Sequence, residues 1–96
     1  MTIREFQDFI RRQYFARDSE RGTPKTFLWF VEEVGELALA LAGDDQHNKQ
    51  EEFADVLAWL CTLASLAGIS MEEASRKYAN GCPACHKMPC DCSQKG

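Results

Sequence analysis

The sequence predicts an all-α fold whose centre is a helical hairpin. Two long apolar stretches have helical spacing, capping signals stand before predicted helices, and no strand-like alternation of useful length occurs. Residues 1–80 are expected to form one helical domain, and residues 81–96 a short tail rich in Cys, Pro and Lys. The tail is too short to have an apolar core of its own.

Local capping signals set the expected helix boundaries. Thr2 and Glu5 form a capping box before the first helix, and Thr23 is expected to cap the second, with Pro24 at its first position. Gly43 is the expected C-cap of the second helix. The expected helices cover residues 3–17, 24–42, 49–67 and 71–80. A polar connection over 18–22 joins the first two helices, and a turn over 44–48 joins the second and third. The third helix is expected to stop at Gly68, and a second capping box, Ser70 to Glu73, precedes the fourth.

The composition excludes several classes of protein. The chain has 96 residues, of which 45% are apolar and 27% charged, as expected for a small globular domain. Its net charge of −4 argues against a nucleic-acid partner, because general nucleic-acid binders carry a basic face. The N-terminus has no signal segment, and the longest uncharged run, 56–71, is shorter than a bilayer span. We therefore expect a cytoplasmic protein that does not bind membranes.

Both central helices carry carboxylates beside apolar residues. Glu33 and Glu36 are three residues apart on the second helix, as are Glu52 and Asp55 on the third, so each pair lies on one helix face. An antiparallel fold about Asp45 would bring Glu36 level with Asp55, with the other two acids within about one turn. Four converging carboxylates suit Mg²⁺ or Mn²⁺. The alternative is that these acids form ordinary solvated faces, and Glu32 and Glu51, further round, are outer groups, a base, or merely solvated.

These acidic motifs resemble those of a known enzyme family. Glu33-Val-Gly-Glu36 followed by Glu52-Phe-Ala-Asp55 resembles the ExxE…ExxD signature of the MazG-like nucleoside triphosphate pyrophosphohydrolases, and the likeness spans roughly residues 24–80. It implies an all-α enzyme, dimeric or tetrameric, that uses Mg²⁺ to cleave a (deoxy)nucleoside triphosphate to the monophosphate and pyrophosphate. It also implies that the four acids hold magnesium.

The resemblance extends to candidate substrate contacts. Lys77-Tyr-Ala-Asn80 fits a Lys-x-x-Asn motif that lies near the phosphates in the family, although the arginine that often follows is replaced here by Gly81 and Cys82. Glu32 or Glu33 is a candidate general base for the attacking water. Trp29 and Trp59 share stripes with the acids, and one of them is expected to stack on the nucleobase. Lys25 is a candidate phosphate contact, with simple solvation as the alternative.

The two central helices carry more apolar surface than one hairpin covers. Their main faces are formed by Phe27, Phe30, Val34, Leu37 and Leu41 on one helix and by Phe53, Val56, Leu57, Leu60 and Ala64 on the other. Leu28, Leu39 and Leu66 lie outside these faces. A hairpin from a second subunit would cover them, giving a four-helix bundle about a two-fold axis.

The tail contains a potential zinc site. Cys82, Cys85, Cys90 and Cys92 have the spacing CxxC-x4-CxC, and four thiolates can close a tetrahedral structural site. His86 is an alternative ligand, and a disordered tail or adventitious disulfides are the other interpretations. Cys61, among apolar residues, is expected in the core.

Two other functions remain open from the residues alone. The first is a non-catalytic interaction module, stapled by zinc, whose hairpin docks on a partner. The second is a di-iron carboxylate protein, which the lack of a Glu-x-x-His pair disfavours.

Overall fold

A computed structural model describes residues 1–93, and this part of the chain is helical without strands, as predicted. Residues 94–96 of the predicted tail lie outside the described residues. The elements are α1 (Ile3–Arg21), α2 (Thr23–Ala42), α3 (Gln46–Leu66), α4 (Met71–Ser75) and a 3₁₀ turn (Arg76–Tyr78).

The first helix begins as predicted but ends one turn later. The Glu5 amide donates to Thr2 Oγ1 at 3.0 Å, and the Thr2 amide donates to Glu5 Oε1 at 2.7 Å, which completes the capping box. The expected end near Arg17 was wrong because Asp18 is buried and pairs with Arg21 at 2.9 Å. This interaction between residues one helical turn apart keeps the polar segment helical.

A single residue joins α1 to α2. Gly22 has φ +89°, a backbone angle that favours glycine, and it caps both helices. The predicted Thr23 cap was therefore wrong: Thr23 is already helical and Pro24 follows in the first turn. Thr26 secures this bend, because its hydroxyl donates to the Gly22 carbonyl at 2.8 Å and accepts from Arg21 at 3.0 Å.

The turn between α2 and α3 is shorter than predicted. Gly43 caps α2 as expected, and Asp45 caps α3 by accepting from the Asn48 amide at 3.1 Å. Consequently α3 begins at Gln46 rather than at residue 49. This shift of three residues changes which side chains face each other across the hairpin.

The fourth helix is also shorter than predicted. Ser70 Oγ accepts from the Glu73 amide at 3.2 Å, as expected for its cap, whereas the Glu73 carboxylate pairs with Arg4 at 3.3 Å. The α-helix ends at Ser75 and a 3₁₀ turn continues to Tyr78, so the element stops before residue 80.

The buried apolar core of the described chain is small. It contains Ile10, Ala40, Cys61 and Ala64, and Cys61 is completely buried, as predicted. Helix α3 packs against both α2 and α1. Much of the predicted main apolar faces of α2 and α3 stays exposed, because the two helices meet through the neighbouring stripe that carries the acids and tryptophans. The exposed members are Phe27, Val34, Leu41, Phe53, Leu57 and Leu60.

No single helix among the described residues is long and apolar enough to cross a membrane. Only the pair Gln46–Leu66 and Met71–Tyr78, bent by 106°, has the required length and composition when taken together.

Gln7 ties α1 to the junction between α3 and α4. Its side chain is buried, and its amide nitrogen donates to Ser65 Oγ at 3.1 Å and to the Ile69 carbonyl at 2.8 Å. Its oxygen accepts from the Met71 amide at 2.8 Å. One side chain therefore satisfies three polar groups at this junction.

Replacing Gln7 with Ala should destabilise the fold by about 1–3 kcal/mol, because it leaves partners of the buried amide unsatisfied. Urea denaturation at equal protein concentration measures this change. Gln13→Ala, exposed on the same helix, is the matched control and should be nearly neutral. Equal unfolding midpoints for the two variants would contradict the role of Gln7.

Candidate metal site and adjoining cleft

Three carboxylates meet between α2 and α3. Glu33, Glu52 and Asp55 each offer an oxygen, and these oxygens lie within 4.8 Å of one another. Glu33 comes from α2, while Glu52 and Asp55 lie one turn apart on α3. We call this group the acidic triad. Oxygen ligands from three carboxylates form a donor set suited to a hard divalent cation.

Glu36, the fourth predicted ligand, is exposed and is not part of the acidic triad. The hairpin register explains this. Trp29 meets Trp59, and one turn further along Glu33 meets Asp55, whereas the sequence had paired Glu36 with Asp55. The early start of α3 moves each pairing by about one turn.

The acidic triad is electrostatically crowded. Burial raises the pKa of Glu33, and the charges of Asp55, Glu52, Glu36 and Glu32 raise it further. Burial likewise raises the pKa of Glu52, with added repulsion from Asp55, Glu36 and Glu51. The negative charge of Glu36 thus raises the pKa of both Glu33 and Glu52. A bound cation would relieve this repulsion.

One oxygen of the acidic triad lacks a partner. Glu52 Oε2 is buried and has no hydrogen bond within the described chain. A buried carboxylate oxygen without a donor is unfavourable unless a cation or water satisfies it. This orphaned oxygen, beside two further carboxylates, makes the acidic triad a possible site for a divalent cation.

An open cleft of about 810 Å³ adjoins the acidic triad. Helices α1, α2 and α3 all contribute to its walls, and Asp55 belongs to both the cleft and the triad. The other lining residues are Ile10, Tyr14, Arg17, Asp18, Glu20, Arg21, Lys25, Trp29, Ala54, Ala58, Trp59 and Thr62. The cleft is therefore large enough for a small ligand whose charged end reaches the carboxylates.

The two tryptophans meet in this cleft. Trp29 and Trp59 lie edge to face, with centroids 5.7 Å apart and planes inclined by 76°. The Arg21 guanidinium carbon lies 4.4 Å from the centroid of Trp29 and 5.1 Å from that of Trp59. Sequence reasoning missed Arg21 because it placed residues 18–22 in a connection. The Asp18–Arg21 spacing was the signal that could have revealed it.

Comparison with known protein families identifies the family of this chain. The family model of the MazG nucleotide pyrophosphohydrolase domain matches residues 22–87. This is more than half of the chain and includes the whole hairpin with its acidic triad. The chain belongs to the MazG nucleotide pyrophosphohydrolase domain family. No curated protein matches it. The family resemblance predicted from the motifs is confirmed, and it assigns the domain to hydrolases that act on nucleotides.

Several predicted residues of this MazG domain lie outside the acidic triad. Lys25 lines the cleft, with its ammonium 5.6 Å from the centroid of Trp29. Glu32 is exposed on α2. Lys77 and Asn80 are exposed on and just after the 3₁₀ turn, and neither lines the cleft of its own chain. The roles of these four residues stay predictions.

The four cysteines of the tail also meet. One sulfur from each of Cys82, Cys85, Cys90 and Cys92 lies within 4.8 Å of the others, and His86 is not part of the group. Amide donors lower the pKa of Cys85 to about 6, whereas sulfur–sulfur hydrogen bonds raise the pKa of Cys92 to about 12. The four thiols therefore do not all ionise together without a cation.

Arg21→Ala should destabilise the protein by about 3–5 kcal/mol, because it leaves the Asp18 carboxylate buried without its partner. It should also change tryptophan fluorescence, since the guanidinium lies over both rings. Thermal and urea unfolding measure the first effect. Arg12→Ala, exposed on the same helix, is the control, and a variant as stable as this control would refute the pairing.

Proposed function

We propose that the protein hydrolyses a (deoxy)nucleoside triphosphate to the monophosphate and pyrophosphate with Mg²⁺ or Mn²⁺ as cofactor. Family membership supports the class of reaction. The observation that carries the metal is the acidic triad, in which Glu52 Oε2 is buried without a partner. The alternative of a non-catalytic interaction module is not favoured, because it gives no reason to place three carboxylates together beside a cleft.

Glu33, Glu52 and Asp55 are proposed to hold the cation, with Glu36 as a further ligand. Glu36 lies one turn from Glu33, and its charge raises the pKa of Glu33. A change of its rotamer or a bridging water would therefore allow Glu36 to bind the same cation. A bound divalent cation neutralises phosphate charge and lowers the pKa of a coordinated water.

Proton transfer is proposed for Glu33 or Glu32. Glu33 is the first candidate, because a carboxylate at the proposed cation site lies next to the coordinated water that gives up the proton. Glu32 is the second candidate, because it is adjacent, exposed and not a member of the acidic triad.

The nucleobase is proposed to bind in the cleft beside Trp29 and Trp59. The tryptophans lie one turn from Glu33 and Asp55 on their respective helices, so a base at the rings leaves the phosphates directed towards the carboxylates. Arg21 already lies over both rings, and a base therefore stacks on a free ring face or displaces the guanidinium. Lys25 is proposed as a phosphate contact at the cleft wall.

The protein is proposed to act as a homodimer or homotetramer. Large apolar side chains on the hairpin are strongly exposed in the single chain: Leu39 by 73%, Leu28 by 66% and Phe53 by 55%. Such surfaces are unusual for a protein that stays monomeric, and a second hairpin would cover them in a four-helix bundle. Lys77 and Asn80, outside the cleft of their own chain, are proposed to contact phosphates across this interface.

Glu52→Gln and Asp55→Asn should each reduce triphosphate hydrolysis by at least about 100-fold, since the loss of a direct ligand should exceed the 10–100-fold cost of losing a supporting residue. Glu33→Gln should cost about 10²–10⁴-fold if it removes the base. Release of pyrophosphate and monophosphate from a panel of NTPs and dNTPs with Mg²⁺ measures the rates.

Glu51→Gln is the matched control, because Glu51 lies beside Glu52 but is exposed and outside the acidic triad. Circular dichroism confirms that each variant is folded. Full activity in both Glu52→Gln and Asp55→Asn would discard the site, and no turnover of any nucleotide by the wild type would discard the proposed reaction.

Phe53→Glu should convert the oligomer to a monomer, because it places a charge in the apolar face that the second hairpin would cover. Sedimentation equilibrium measures the mass. Phe9→Glu, an equally drastic change at an exposed position of α1, should leave the oligomer intact. A wild-type protein that sediments as a monomer would contradict the proposed assembly.

A further inference from the structure

We propose that Cys82, Cys85, Cys90 and Cys92 bind one Zn²⁺ ion in a closed, structural site that folds the tail. This site is separate from the acidic triad and has different chemistry. It gives the segment after the 3₁₀ turn a defined structure, and it has no role in the hydrolysis itself.

Two of the six sulfur–sulfur separations match the edge of a tetrahedron around zinc, and all four sulfurs lie within 4.8 Å of one another. Cys82 Sγ and Cys92 Sγ are 3.7 Å apart, and Cys85 Sγ and Cys90 Sγ are 3.9 Å apart. Four sulfurs at a Zn–S distance of about 2.3 Å stand about 3.8 Å from one another in a regular tetrahedron. The observed separations match that edge, and they are far longer than the about 2.05 Å of a disulfide bond.

Backbone amides are directed at the sulfurs. The Asp91 amide donates to Cys85 Sγ at 3.4 Å, and the Cys92 amide donates to Cys90 Sγ at 3.3 Å. Zinc with four thiolates has a net charge of about −2, and such donors stabilise it.

Backbone hydrogen bonds fix the turn that carries Cys82 and Cys85. The Cys82 amide donates to the Lys87 carbonyl at 3.2 Å, and the His86 amide donates to the Cys82 carbonyl at 2.7 Å, which closes a tight turn. Gly81 enters this turn with φ +97°, and a Cβ there would lie 3.2 Å from the Lys87 carbonyl oxygen. The turn therefore requires glycine at this position.

The described part of the tail has no buried side chains to stabilise it. None of its described residues, 81–93, is buried, so it has no apolar core. Short segments of this kind fold when metal binding supplies the free energy. Four thiolates select zinc over Mg²⁺, which prefers oxygen, and the absence of an open ligand position makes the site structural.

Elemental analysis of protein purified under reducing conditions tests this directly. We expect about one zinc per chain in the wild type, in His86→Ala and in Cys61→Ala, which removes a thiol outside the cluster. Cys85→Ser and Cys90→Ser should each lose the zinc. Retention of zinc by both serine variants, or iron in place of zinc, would overturn the proposal.

Cobalt substitution provides a measurement that needs no variant. Apo-protein titrated with Co²⁺ should develop the visible absorption bands of a tetrahedral thiolate complex, and these bands should reach their maximum at about one equivalent of Co²⁺. The bands should disappear when Zn²⁺ displaces the cobalt. A spectrum of octahedral Co²⁺, or reduced wild-type protein that takes up no zinc, would show that the cysteines form no such site.

Limited proteolysis reports the structural role. Lys87 lies between the two cysteine pairs with an exposed side chain, so trypsin should cut there in chelator-treated protein and not in zinc-loaded protein. Equal cleavage in both would show that zinc does not order the tail. Pyrophosphate release is a separate readout, so failure of the zinc site and failure of the proposed hydrolase are distinguishable.

Discussion

Repulsion between the carboxylates of the acidic triad is the constraint on which the rest of the hairpin depends. Glu33, Glu52 and Asp55 meet where α2 and α3 pack, and burial together with mutual repulsion raises the pKa of both glutamates. A packed helix pair that served stability alone would place apolar side chains there. Instead, the hairpin packs through its acidic and aromatic stripe and leaves its apolar face exposed. The hairpin of one chain thus gives up part of its apolar packing where it brings three carboxylates together.

The cleft and the acidic triad are consequences of one helical register. Because α3 begins directly after Asp45, Trp29 meets Trp59, and Glu33 meets Asp55 one turn further along. Arg21 reaches the tryptophans because α1 continues to its last residue and only Gly22 separates it from α2. A shift of one turn in either helix would separate the rings and the carboxylates together. The register therefore positions the aromatic and the acidic parts of the site at the same time.

The sequence predicted the features that repeat along a helix. The helical hairpin, the capping box at Thr2 and the burial of Cys61 follow from spacing that is readable along the chain. Four acids were expected to converge, and Glu33, Glu52 and Asp55 meet without Glu36. Three features were missed. The last turn of α1 depends on the buried Asp18–Arg21 pair, the register depends on the cap at Asp45, and the choice of packing stripe depends on how α1 covers α3. The Asp18–Arg21 pair and the Asp45 cap are local interactions, but the burial of the pair and the packing of α1 on α3 are tertiary and are not given by local propensity.

We propose that a divalent cation binds where Glu33, Glu52 and Asp55 meet. A crystal structure of the protein with Mn²⁺ and a non-hydrolysable nucleoside triphosphate analogue tests it most directly, because anomalous scattering locates the manganese without reference to the protein coordinates. The account predicts an anomalous peak within coordination distance of Glu52 Oε2 and at least one other carboxylate of the acidic triad. Manganese bound only to the analogue, with the three carboxylates directed into solvent, would contradict it.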